Sequence, residues 1–279
     1  MKIRQKRQTP LEKAWYILQP FVIYLVAKTI GMLVFSAIFN YCLSEEIRNT
    51  YSSLVNSLAS IFGVAFVMKD FLIEVCITGE VDIDANGFKR FFNWLKLGAK
   101  ENTTKLVPLG ACVSLGISAA LALNILIELI SVSSDKYDNV ETIQYAVPLW
   151  LGIILYGLVS PWVEEIVFRG LTFNRMKRYY SLEASVLVTA LIFGLFHANL
   201  PQFIYGTIMG VIMALVYEWV GTFAAPILFH MSANLFVFIF TYLSGQSRVL
   251  INPVCFVVFA IISVCLTIYL IMQHKGSAK

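Results

Sequence analysis

The sequence predicts an all-α protein, a polytopic transmembrane helix bundle of about eight spans with a short amphipathic helix in the cytoplasmic interface. Three observations predict it. Hydrophobic residues make up 58% of the 279 and charged residues only 14%, with a mean hydropathy of +0.75, whereas soluble domains average roughly 45–50% apolar and about 25% charged residues. The apolar residues fall into blocks long enough to cross a hydrocarbon core about 30 Å thick. Lysines and arginines gather in alternate loops, the pattern that orients multi-pass proteins.

The first block, Tyr16–Leu43, follows Lys2, Arg4, Lys6, Arg7 and Lys13. It is too long for the apolar core of a signal peptide and lacks an A-x-A site, so a retained anchor is expected. Nothing in the sequence accounts for Lys28, deep within it. The second block, Leu54–Ile77, carries Lys69, Asp70 and Glu74 near one end, where long side chains can snorkel. The polar insert Thr78–Lys105 holds Phe88, Phe91, Phe92 and Leu95 at helical spacing, with Lys89, Arg90 and Lys96 on other faces. Such a helix either lies flat in the cytoplasmic headgroup layer or packs on the bundle.

Leu106–Ile130 forms the third block, and the loop after it holds Lys136 among acids. Tyr145–Val163, Ala184–Leu200, Phe203–Val220, Phe223–Leu243 and Pro253–Met272 complete the eight, Ala184–Leu200 being short. Arg175, Lys177 and Arg178 lie between the fourth and fifth. Both termini are therefore expected in the cytoplasm and the protein in the cell membrane, as a single membrane-embedded domain, 1–279. The net charge of +4 serves orientation, and no nucleic-acid partner is expected. Five cysteines, an odd number without a CxxC pair, read as lone buried thiols. Gly206 and Gly210 form a GxxxG, a signal for close helix contact, expected inside the bundle.

The chemistry concentrates at SPWVEEIVFRG, residues 160–170. Ionisable groups within a span cost about 2.5–3.5 kcal/mol on insertion scales and usually serve function. Glu165 and Arg169 are i, i+4 and able to pair. Glu164 lies about 100° round the helix and can face a cavity. Of the three histidines, His197 closes IFGLFH and His230 opens the block containing PILFHMSANL, with Asn234 one turn on. If the fourth and fifth helices form a hairpin turning near Tyr180–Leu182, Glu164 and His197 sit at nearly the same height. His230 reaches that height only if TFNRMKRYY continues the fourth helix.

There is no GxSxG, HExxH, P-loop or GxGxxG, and no cysteine neighbours either histidine. What the residues support is water activation: a desolvated glutamate as general base, a histidine to hold the water or protonate the leaving amine, and an amide with a second imidazole for an oxyanion.

These residues resemble the CAAX-protease and bacteriocin-processing (Abi) family of intramembrane endopeptidases, which includes the Ras-converting CAAX prenyl proteases. The family's EExxxR, FxxxH and HxxxN elements correspond to Glu164–Arg169, Phe193–His197 and His230–Asn234. The resemblance covers roughly 149–243, taken as the catalytic core. It implies that Glu164 activates water, that Glu165 and Arg169 support it, and that His197 orients the water. His230 and Asn234 would form the oxyanion site, and Phe193 would wall the substrate pocket or pack beside it. A membrane-associated peptide or protein is the implied substrate. The alternatives are a non-catalytic membrane scaffold or bacteriocin-immunity protein on the same fold, and a zinc-dependent protease with Glu164, His197 and His230 as ligands. Against zinc, the sequence shows no carboxylate as outer partner of the histidines, and Glu165 is claimed by Arg169. No cofactor is therefore expected, with zinc as the runner-up.

Overall fold

The computed structural model describes residues 9–77, 106–244 and 251–277. Among them every regular element is helical: α1 (Pro10–Cys42), α2 (Glu45–Ala65), α3 (Met68–Ile77), α4 (Leu106–Leu129), α5 (Asp135–Tyr145), α6 (Leu149–Met176), α7 (Leu182–Phe196), α8 (Leu200–Val220), α9 (Ala224–Ser244) and α10 (Pro253–Ser277). The chain is a polytopic bundle of apolar helices.

Six of these, α1, α4, α6, α8, α9 and α10, are long and apolar enough to cross a bilayer, and α2 with α3, bent by 56° at their break, has the composition of a broken span or a re-entrant loop, a seventh crossing if the pair is one span. The expected eighth span is α7, which is shorter than predicted. It has 15 residues, about 22 Å at 1.5 Å per residue. It stops at Phe196 because Ala198 takes φ 56°, a left-handed conformation, and Asn199 already caps α8. The expected interfacial helix around Phe88–Leu95 lies outside the described residues.

Local chemistry sets the other boundaries. Thr9 and Glu12 form a capping box ahead of Pro10 at the start of α1, satisfying donors that a helix N-terminus leaves open. Ser181 accepts from the Ala184 N–H to start α7, which puts the α6–α7 turn where the basic segment predicts it. Gly221, at φ 68°, ends α8 in the left-handed conformation that glycine adopts without strain.

The central element is α6, which packs against α1, α2, α3, α7 and α9. Every residue from Val163 to Met176 is buried. Two stretches of α6, Ile153–Val159 and Ile166–Phe173, are π-helical and flank the α-helical Ser160–Glu165. Wide turns of this kind are uncommon and often occur at functional sites. Helix continuity through to Met176 is the condition on which the height of His230 depended.

Charges anchor the far end of α6. Arg175 pairs with Asp70 at 2.9 Å and donates to the Tyr16 carbonyl at 3.0 Å, Arg178 pairs with Glu74, and Lys177 pairs with Glu218. Asp70 and Glu74, read from the sequence as snorkelling, are therefore ion-paired across helices. Sequence could not supply those partners, which lie about a hundred residues away. Small residues let the helices close. The glycine pair packs inside the bundle: a Cβ on Gly206 would sit 3.4 Å from the Gly194 Cα, and one on Gly210 would sit 3.1 Å from the Ala190 Cα.

Candidate active site

The site is assembled where α6, α7, α8 and α9 meet, with α1 closing one side. Glu164 and Glu165 end the α-helical segment of α6 and diverge as adjacent helix positions must. Ser160, one turn earlier, donates to Glu164 Oε1 at 2.6 Å. Glu164 Oε2 then faces His230 Nε2 at 3.8 Å. That distance is too long for a direct hydrogen bond.

Glu165 is fully buried and turns the other way. Its Oε1 accepts from Arg169 Nη1 at 2.9 Å and meets His230 Nδ1 at 2.8 Å. Arg169 also donates to the Gly210 carbonyl at 3.2 Å and stacks on Phe193, 4.5 Å from the ring centre. A carboxylate paired with an arginine accepts only, so His230 carries a hydrogen on Nδ1 toward Glu165 and turns its Nε2 toward Glu164. Sequence spacing offers no outer carboxylate for either histidine and pairs Glu165 with Arg169; in the structure one Glu165 oxygen meets both Arg169 and His230, a contact that no spacing between positions 165 and 230 signals.

His197 stands at the C-terminal end of α7. Its Nδ1 meets the Phe193 carbonyl at 2.9 Å, which as an acceptor places the hydrogen there and leaves the Nε2 lone pair open. Asn199 donates to the His197 carbonyl at 3.1 Å, so the left-handed Ala198 is held by the cap of the next helix. Gly206 leaves room for the imidazole: a Cβ there would stand 3.4 Å from Nδ1. Phe193 is 2% exposed and packs edge-on against Phe168, His197 and His230. It lies between the two imidazoles and the guanidinium.

Glu164, Glu165, Arg169, His197, His230 and Phe193 thus come together. Asn234 does not join their hydrogen bonds; it donates to the Tyr156 carbonyl at 3.2 Å, bracing α9 against the first π-helical stretch of α6. Two residues escaped the sequence reading. Ser160 had a legible signal, a hydroxyl one helical turn before the acid. Lys28 is the second. Its Nζ lies 5.0 Å from the centre of the Phe196 ring. Among the described residues, no three His, Cys, Asp or Glu side chains are grouped to hold a metal ion.

What fold and site define is a multi-pass helical membrane protein with a buried glutamate–histidine cluster. Residues 146–236, which contain all of the cluster except Lys28, match the family model described as type II CAAX prenyl endopeptidase Rce1-like. Over 120 residues, 41% of this chain, the sequence is 32% identical to YdiL of Bacillus subtilis (strain 168), named as a candidate membrane peptidase. It is also 32% identical over 120 residues to MroQ of Staphylococcus aureus (strain USA300), named a membrane-embedded CAAX protease. The aligned part is 48% of each relative, so the chain spans about half the length of the curated relatives it matches. No solved structure matches it significantly. The resemblance to the CAAX-protease family, read from the three motifs, holds at this level.

Proposed function

We propose that the protein is an intramembrane endopeptidase that hydrolyses a peptide bond of a membrane-associated peptide or protein, with Glu164 as general base. The observation that carries this reading is the orientation of Glu164. One of its oxygens is fixed by Ser160 and the other faces His230 Nε2 at 3.8 Å, within a segment that matches a peptidase family.

A water held by Glu164 Oε2 beside His230 can donate a hydrogen to that carboxylate, leaving its own lone pair directed at an incoming carbonyl. Glu164 takes a proton as the water oxygen bonds to the carbonyl carbon. The resulting tetrahedral intermediate collapses by breaking the C–N bond, and Glu164 returns the proton to the leaving nitrogen. His197, whose ring packs edge-on against the Phe193 ring that also meets His230, would orient that water. Glu165 and Arg169 act through His230 by fixing its tautomer and ring plane, as a buried carboxylate does behind a catalytic histidine.

The test uses the full chain in proteoliposomes with internally quenched hydrophobic peptides, half of them carrying a prenylated cysteine four residues from the C-terminus. Cleavage by the native protein and loss of about 10²–10⁴-fold in rate for Glu164→Gln are expected, the usual contribution of a general base. Equal rates for both proteins would contradict the reading and favour a non-catalytic scaffold.

A further inference from the structure

Proline has no N–H, and Pro161 lies within the continuous helix α6. Just before it the chain follows the wide π pattern, in which an N–H reaches five residues back: the Ser160 N–H donates to the Leu155 carbonyl. The next bond of that pattern would run from residue 161 to the Tyr156 carbonyl, and residue 161 has nothing to donate. Tyr156 is thus left with a main-chain acceptor inside the bundle that its own helix does not satisfy, and such a group needs a donor. Asn234 of α9 supplies it, with Nδ2 lying 3.2 Å from the Tyr156 oxygen.

The packing of α9 on α6 is built for that contact. The helices run antiparallel: Gly152 meets Phe238, Gly157 meets Leu235, Tyr156 meets Asn234 and Glu165 meets His230. A Cβ on Gly157 would stand 2.2 Å from Leu235 Cδ2, and one on Gly152 would stand 2.0 Å from Phe238 Cζ. Glycine at both positions lets α9 come close enough for a side-chain amide to reach a main-chain oxygen. Tyr156 is held from its other side by α2, because its hydroxyl donates to Ser53 and Ser53 donates to the Ile143 carbonyl at 3.1 Å.

We propose that Pro161 is a positioning residue. By denying Tyr156 a main-chain donor it reserves that carbonyl for Asn234, and so fixes α9 one turn from His230. Two contacts then bracket the interface, Asn234 on Tyr156 at 3.2 Å and His230 on Glu165 at 2.8 Å, and between them Glu164 Oε2 faces His230 Nε2. The amide of Asn234 is planar, so a bond through one N–H also sets the direction of the other. This role rests on the reading of Glu164 as the base: a displaced α9 moves His230 away from Glu164 although neither residue has changed. Misplacement by about 1 Å can cost about 10²-fold in rate. Pro161→Ala restores the N–H. If the chain stays π-helical, residue 161 donates to the Tyr156 carbonyl; if it tightens to an α-helix, Ser160 does. Asn234 loses its sole claim on that oxygen in either case. The helix itself gains from the change, since alanine is favoured over proline in a helix interior.

The experiment measures kcat, KM and melting temperature for native protein, Pro161→Ala, Asn234→Ala, the double variant and Glu164→Gln, with the quenched peptide cleaved fastest in the panel above. Pro161→Ala is expected to lose about ten- to a hundredfold in kcat, with KM within about threefold and a melting temperature at or above the native value. Asn234→Ala is expected to lose at least as much. Adding Pro161→Ala to it should cost less than about twofold more, because residues that act through one contact do not add. Native kcat in Pro161→Ala or in Asn234→Ala, a melting temperature that falls together with kcat in Pro161→Ala, or losses that add in the double variant would each overturn the proposal. If Glu164→Gln is inactive while Pro161→Ala keeps the native kcat, this inference fails alone. If Glu164→Gln is fully active, the underlying reading fails with it.

Discussion

His230 and Glu165 lie 65 positions apart and on different helices, yet their side chains meet at 2.8 Å between Nδ1 and Oε1. The same oxygen accepts from Arg169, so arginine, carboxylate and imidazole form one chain of contacts buried in the bundle. Two adjacent glutamates thereby acquire different tasks: one holds a histidine and the other faces what that histidine faces.

The two acids should therefore fail differently. Glu165→Ala leaves the Arg169 guanidinium buried without its carboxylate, a loss of about 3–5 kcal/mol for a broken buried pair, and frees His230 to rotate. Thermal unfolding in detergent should show a large drop for Glu165→Ala and little change for Glu164→Gln, although both lose activity. Equal stability of the two variants would contradict the assignment of Glu165 to the His230–Arg169 chain.

Ser160 gives a finer test of the orientation of Glu164. Removing its hydroxyl leaves Glu164 Oε1 without its 2.6 Å donor, a charge-assisted bond worth about 1.5–3 kcal/mol. Ser160→Ala is expected to lower kcat roughly ten- to a hundredfold with KM nearly constant, and Ser160→Thr to retain much of the rate. A kcat at the native level in Ser160→Ala would show that the hydroxyl does not position the base.

Gly116 on α4 tests the support behind His230. A Cβ there would stand 2.3 Å from the Phe229 carbonyl oxygen and 2.7 Å from Ser232 Oγ, so α9 must shift next to the histidine. Overpacking of this kind costs about 1–3 kcal/mol. Gly116→Ala should lower both melting temperature and kcat, whereas alanine at Gly276, where nothing lies within 4 Å, should change neither.

Metal dependence can be measured directly. The proposed mechanism gives each His230 and Glu164 atom a role without a metal, so chelator-dialysed protein is expected to keep its rate. Near-stoichiometric zinc whose removal abolishes cleavage, and whose return restores it, would replace this mechanism with the His₂Glu alternative.

Much of the fold was legible because lipid imposes long apolar blocks and punctuates them with charge. EExxxR, FxxxH and HxxxN were legible for a related reason: polar groups in such blocks are few enough to stand out. What the sequence hid was everything that depends on contact between helices. Lys28 has no charged residue at i+3 or i+4, and its contact with the Phe196 ring exists only because α1 lies beside α7. The Glu165–His230 contact and the pairing of Arg175 with Asp70 join distant segments that no periodicity relates. The early end of α7 turns on a single left-handed residue, Ala198, which has no sequence signature of its own.

The central claim is that Glu164 makes this protein a peptidase. The most direct measurement compares the membrane peptidomes of cells producing the native protein and cells producing Glu164→Gln at matched abundance. The account predicts a set of cleavage products present with the native protein and absent with the variant, their uncut precursors accumulating in its place. Indistinguishable peptidomes, from proteins equally abundant and equally folded, would contradict it.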